Sequence, residues 1–183
     1  MPVSKRSDRG FTLLELLLVV AVIGIMAAIA IPGLLRARIA GNEASAIGSM
    51  RVVNSSQAAY SSTCGNGFYA STLVVLSDPV PTGSGFISPD LGGAVTVSKT
   101  GYQLTMAQGS ESVGATSDGC NPAGTAANLF SSYYASNQPL VGGMSGTRWF
   151  WTNTLGTIYF STADDFDDED VGIAAPSVGN PLQ

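Results

Sequence analysis

The chain has no histidine, and charged residues make up only 11 % of its 183 positions. Without histidine, Ser-His and Cys-His nucleophiles and the usual imidazole ligands of zinc are excluded. No glycine-rich motif of the P-loop or Rossmann kind is present to cradle a phosphate, and no internal repeat is visible. An enzyme is therefore not expected. Basic residues are scarce as well. Met1–Gly10 holds Lys5, Arg6 and Arg9 against Asp8, which leaves five basic and twelve acidic side chains, a formal −7, for the rest of the chain. So few cations argue against a grip on nucleic acid through phosphate neutralisation. Cysteine is limited to Cys64 and Cys120.

What is present is a long apolar run at the N-terminus. From Leu16 to Leu35 there are twenty residues and no charge. As a helix this stretch spans roughly 30 Å, the hydrocarbon thickness of a bilayer. Lys5, Arg6 and Arg9 lie ahead of it and the long remainder is polar and acidic, a bias that keeps the start cytoplasmic and sends the rest across. Glu15 intrudes near the beginning of the run. An ionisable group costs about 2.5–3.5 kcal/mol at the centre of a membrane helix, less near the interface, so its presence needs a reason.

Lys5-Arg6 to Arg9-Gly10, followed by Phe11-Thr12-Leu13-Leu14-Glu15 and an apolar helix, closely resembles the type IV prepilin family. The resemblance covers about the first forty residues, and Gly24 and Pro32 agree with it. It implies cleavage after Gly10 by a prepilin peptidase, N-methylation of Phe11 by a methyltransferase, and packing of the helix into a homo-oligomeric filament at an inner-membrane assembly platform. It makes Glu15, Gly24 and Pro32 assembly residues. Two plainer readings stand beside it. One is a secretory signal peptide with Ala28-Ile29-Ala30 as its cleavage site; against it, Glu15 breaks the apolar core and the run continues to Leu35. The other is a plain membrane anchor, which leaves Glu15 and the Gly10-Phe11 junction unexplained.

The expected organisation is a leader at 1–10, a membrane-spanning and filament-core helix at 11–35, its amphipathic continuation at 36–62, and a globular head at 63–183. Pro32 lacks an N–H, so a kink or local melting is expected there, where Gly24 and Gly33 also weaken the helix. Beyond Leu35, the residues Ile39, Ala46, Val53 and Tyr60 recur every seven positions with Leu35, Met50 and Gln57 beside them, a stripe expected to pack on the head. Gly41, Gly48 and Ser55 form a row of small residues that permits close approach of another helix. Arg36 and Arg38 flank the end of the apolar span. Because the topology places both cysteines outside the cytoplasm, a Cys64–Cys120 disulfide is expected.

Cys64-Gly65-Asn66-Gly67 should end the helix, since Gly and Asn supply left-handed conformations. A short helical turn is expected at Thr72–Leu76. Strands are expected at Ala94–Ser98 and Tyr102–Ala107, joined by Lys99-Thr100-Gly101 in a hairpin, and at Arg148–Thr152 and Thr157–Phe160. Phe130–Ala135 reads as either strand or short helix. The fold class is α+β: a long N-terminal helix against a small antiparallel sheet of three to five strands with irregular loops.

Asp164, Asp165, Asp167, Asp168, Glu169 and Asp170 place six carboxylates in seven residues. Calcium takes six to eight oxygens, so this run is the candidate cation site; no other cofactor is expected. Its spacing departs from the EF-hand, which has Gly where Asp170 stands, and a solvated acidic loop is the plainer reading.

The function expected is a structural subunit of a type IV pilus-like filament serving attachment, motility or DNA uptake. The alternative is a pseudopilin of a type II secretion system, and a third reading is a monomeric anchored binding domain. Major pseudopilins usually carry an Asp-Pro-Trp-Gly-like segment, and neither Trp149 nor Trp151 follows a proline. The precursor is expected in the bacterial inner membrane with its head outside the cytoplasm, and the mature chain in an extracellular pilus or a periplasmic pseudopilus.

Overall fold

The computed structural model describes residues 10–81, 83–110, 112–163 and 178–182. The chain divides into two compact units between Ala37 and Arg38. Helix α1 runs from Leu13 to Thr63 and continues through Pro32 without interruption, so the local melting expected there does not occur. Leu13–Leu35 is exposed almost throughout, with single side chains such as Leu14, Ile29 and Leu34 at 76 %, 77 % and 59 %. None of the described residues of the first unit covers this apolar surface.

In the second unit the helix turns amphipathic. Its buried positions are Glu43, Ala46, Ser49, Met50, Val53, Ser56, Gln57 and Tyr60. Residues 46, 53 and 60 form one row of a seven-residue repeat and 43, 50 and 57 the other, the spacing that keeps one helical face against a core. The stripe starts later than expected: Leu35 is exposed and Ile39 only half-buried. Full burial of Met50, Val53 or Tyr60 is worth about 1.5–3 kcal/mol each. Gly41 and Gly48 lie on the opposite, exposed face, where an added Cβ would meet nothing within 4 Å.

Past the helix, the order is β1 (Tyr69–Ala70), α2 (Leu73–Ser77), α3 (Pro89–Gly92), β2 (Thr96–Lys99), β3 (Tyr102–Gln108), a 3-10 turn (Ala126–Asn128), β4 (Leu129–Phe130), β5 (Tyr133–Pro139), β6 (Trp149–Asn153), β7 (Ile158–Ser161) and β8 (Asn180–Pro181). Strands β2-β3-β5-β6-β7-β8 form one sheet, antiparallel throughout, and β1 pairs with β4 separately. Among the described residues the main sheet thus has six strands, more than the three to five expected. The fold class is α+β as the sequence implied.

Alternation along the strands sets the face. Tyr102, Leu104 and Met106 of β3, Tyr133, Ala135 and Asn137 of β5, and Phe150 and Thr152 of β6 are buried. Their registers place Leu104 opposite Asn137, Met106 opposite Ala135 and Phe150 opposite Asn137, so they share one face. The β2–β3 hairpin falls where expected. Thr100 and Gly101 both have positive φ, 46° and 77°, as a two-residue turn matched to strand twist requires. On the other face Trp151 stacks on Tyr159 at 6.5 Å. Gly179, at φ 91°, lies so close to Trp151 that a Cβ would overlap its ring, which brings β8 onto the sheet edge.

Candidate functional site

At the N-terminus the motif residues fall on one short stretch. Gly10 and Phe11 precede the helix, with Phe11 78 % exposed and open space around Gly10. Thr12 accepts the Glu15 N–H on its hydroxyl at 3.2 Å and the Leu16 N–H on its carbonyl at 3.2 Å. Thr12 is therefore the helix cap, a role its spacing to Glu15 signals: Thr-x-x-Glu is the pattern of a capping box. The cap engages Glu15's backbone and not its carboxylate, which has no ion-pair partner among the described residues. Gly24 and Pro32 lie further along the same exposed helix, with nothing within 4 Å of an added Cβ at Gly24.

The end of α1 is held differently. Cys64 and Cys120 form a disulfide, as expected. The next residue, Asn121, is buried and accepts the Tyr60 hydroxyl at 2.9 Å while donating to the carbonyls of Val75 and Asp78 at 2.7 and 3.3 Å. Asn121 thus joins the last turns of α1, the end of α2 and the disulfide. Burial, with the Asp78 charge nearby, pushes the Tyr60 phenol up to about 12, so it stays a neutral donor. Closing a loop of this length contributes about 4 kcal/mol in the chain-entropy account. Cys64→Ser is accordingly expected to lower the unfolding free energy of the head by about that amount while leaving membrane insertion intact. Thermal unfolding of the variant and of the reduced wild type should agree; recovery of both thiols free in non-reducing peptide maps would contradict it.

Along the middle of α1, polar side chains tie the helix to the strands; of these Gln57 belongs to the expected packing stripe, while Glu43 and Asn54 were not singled out by the sequence. Glu43 is 5 % exposed. It accepts the Thr147 N–H at 2.9 Å, the Thr147 hydroxyl at 2.8 Å and Arg148 Nε at 2.8 Å, with Arg148 Nη2 at 2.7 Å. The Arg148 guanidinium also lies over Phe150 and Phe160, 5.5 and 5.4 Å from their ring centres. Burial raises the Glu43 carboxyl, but the hydrogen bonds from Thr147 and the bond and charge of Arg148 outweigh it and hold the group below 4.5. Gln57 pairs with Ala70 as a strand would, accepting its N–H at 3.0 Å and donating to its carbonyl at 2.7 Å. Asn54 donates to the Gly156 carbonyl at 2.8 Å and accepts the Tyr133 and Thr152 hydroxyls, each at 3.1 Å.

The acidic run Asp164, Asp165, Asp167, Asp168, Glu169 and Asp170 lies outside the described residues. Among the described residues no group of three or more potential metal ligands occurs.

A family model described as the prokaryotic N-terminal methylation motif matches residues 5–31. The chain carries a prepilin motif. This is the motif of type IV pilins and pseudopilins, and the residues matched run from Lys5 through the cap at Thr12 and the carboxylate at Glu15 to Ile31. The matched segment contains Gly10, Phe11 and Glu15 together. Comparison with curated proteins and with solved structures gives no match for the chain. The motif fits a membrane-anchored precursor that is processed by a peptidase.

Proposed function

We propose that the chain is a structural subunit of a type IV pilus-like filament, released from its leader after Gly10 and assembled through α1. The observation that carries this reading is a carboxylate, Glu15, one turn beyond the Gly10-Phe11 junction at the start of an uncovered apolar helix. A plain anchor has no use for that charge, whereas cleavage creates an amine on Phe11 that needs one. A filament also supplies what the apolar surface of Leu13–Leu35 calls for, first lipid and then the helices of other copies. The head, with its disulfide and its polar, sparsely charged surface, suits a subunit displayed outside the cytoplasm.

Mass spectrometry of the sheared filament fraction is expected to find a chain that begins at N-methylated Phe11. A mature chain beginning at Ile31 would instead establish ordinary signal-peptide cleavage and overturn the proposal. The alternative, a periplasmic pseudopilus, is separated by where the mature subunit is found: on surface filaments visible by electron microscopy, or confined to the periplasm.

A further inference from the structure

The chain has one Asn-Gly pair, Asn66-Gly67, and one Asp-Gly pair, Asp118-Gly119. In such pairs the glycine nitrogen, unhindered by a side chain, attacks the preceding side-chain carbonyl carbon and closes a succinimide ring. Asparagine is a thermolabile residue for this reason. The fold requires both glycines. Gly67 has φ 90° and follows Asn66 at φ 52°, where α1 is brought to its end, a conformation that favours glycine. At Gly119 a Cβ would lie 2.8 Å from the Tyr60 hydroxyl and 3.2 Å from the Cys64 carbonyl. Two reactive pairs are thus built into the protein, and they lie together. Asn66 is two residues past Cys64, and Gly119 directly precedes Cys120, the disulfide partner of Cys64.

Both pairs are held. Gly67 N–H donates to the Ser61 carbonyl at 2.9 Å, and Asn66 Nδ2 donates to the Asp118 carbonyl at 3.1 Å. The nitrogen and the amide it would attack are therefore each engaged elsewhere. Gly119 N–H donates to the Gly124 carbonyl at 2.6 Å, and the Asp118 carboxylate accepts the Ala126 N–H at 2.7 Å. Asn66 is exposed, so water, the other reactant, reaches it without a change of fold. The segment that holds its amide is fixed to the end of α1 right beside it. In addition to the disulfide, Cys120 N–H donates to the Cys64 carbonyl at 3.2 Å and to its sulfur at 3.0 Å.

We propose that Asn66-Gly67 is a covalent modification site gated by the disulfide. Closed, the Cys64–Cys120 bond keeps the Asp118 carbonyl on the Asn66 amide; open, it releases the pair to cyclise. The Gly67 nitrogen then bonds to Asn66 Cγ, the Cγ–Nδ2 bond breaks, and Nδ2 leaves as ammonia with the proton from the Gly67 N–H. Water reopens the ring at either carbonyl and gives aspartate or the β-linked isoaspartate. Either product turns the donor that faced the Asp118 carbonyl into a carboxylate, which that carbonyl cannot accept from. Isoaspartate also adds a backbone atom where the helix ends, so a chain left reduced is marked irreversibly. Asp118-Gly119, cyclising with loss of water, is the second site on the same clamp. The inference stands whether or not the chain assembles into filaments.

The test incubates the full-length chain in detergent micelles at mildly alkaline pH in three states: disulfide intact, disulfide reduced by a phosphine, and disulfide intact in urea. Peptide mass spectrometry reads the conversion of Asn66, and enzymatic methylation of isoaspartate reads the β-linked product. Conversion in the intact folded chain should be slower than in the reduced chain by about tenfold or more, the factor for breaking two ordinary hydrogen bonds before attack. Equal rates in the reduced and intact chains, both folded by near-ultraviolet circular dichroism, overturn the proposal. A rate in the intact folded chain equal to that in urea overturns it as well. If reduction unfolds the head, Gly119→Ala decides with the disulfide in place. Its Cβ pushes the 117–119 segment off the helix end, and Asn66 conversion should rise toward the urea value; no rise overturns the proposal.

Discussion

Glu15→Leu is expected to be cleaved after Gly10 and to accumulate in the membrane, yet to yield no filaments. Cleavage leaves an α-amino group on Phe11, a cation placed where the helix dipole is already positive. The Thr12 cap satisfies the Glu15 N–H through its hydroxyl, so the carboxylate is left to meet that amine, within one subunit or on the next one added. An intermolecular pair would fix the axial register of addition. Removing the carboxylate strands the amine in an apolar core at about 3–5 kcal/mol, a factor of some hundreds or more in each addition step. Leu at this position also extends the uncharged run and favours retention in lipid. Glu15→Gln should fail as well, since shape without charge leaves the amine unpaired. Immunoblots of membrane and sheared filament fractions measure both halves of the expectation. Normal filaments from Glu15→Leu would remove the register role and leave recognition by the methylating enzyme as the purpose of the charge.

Glu43→Ala should cost the head about 3 kcal/mol, the low end for breaking a buried ion pair because the Arg148 side chain retains some contact with water. The substitution leaves Thr147 with two unpaired donors and frees Arg148 from the position it holds over Phe150 and Phe160. Urea unfolding monitored by Trp fluorescence measures the loss; a change no larger than for an exposed substitution would mean the carboxylate holds nothing. The pH dependence has a definite sign. The folded carboxyl titrates below 4.5, its ordinary value. Its contribution is therefore fully present above about pH 4.5, the unfolded value, and is lost as pH falls through the lower folded value. Glu43→Gln should flatten that part of the acid limb.

The sequence revealed the apolar rows of α1 and Gln57 beside them, but not Glu43 or Asn54. Ala46, Met50, Val53 and Tyr60 announce themselves by period, and the structure buries each. Glu43 occupies the same repeat, but its partners Thr147 and Arg148 lie more than a hundred residues away, beyond what periodicity along the helix can show. Asn137 hides β5 in the same manner: a polar side chain at an inward position, donating to the Ala46 carbonyl at 3.2 Å, interrupts the apolar alternation. β8 gave no signal, being two residues with a proline, and is held by its pairing with β7 and by the close approach of Gly179 to Trp151. By contrast, the β2–β3 hairpin was legible because Thr100-Gly101 marks a turn between two alternating runs. At the N-terminus the motif was legible in full, since its chemistry is local and contained in consecutive residues. Thr12 was the exception, its capping role visible only in its spacing to Glu15.

The separations spanned by the helix side chains also set an order of events at the membrane. Asn42 bonds Ser145 across 103 residues, Glu43 bonds Arg148 across 105, and Asn54 bonds Gly156 across 102. If the head is exported as proposed, none of these contacts forms before the later partner crosses, and loop closure over such lengths is slow compared with helix formation. In a subunit exported as proposed, α1 is thus anchored first and waits beside a growing, unpaired chain. The sheet edge and the inward faces of β3, β5 and β6 stay open until β6 and β7 emerge, the interval in which such chains are most open to proteolysis and aggregation. A stop in export before Arg148 should therefore leave the whole head sensitive to protease, where a stop after β7 should leave it largely resistant.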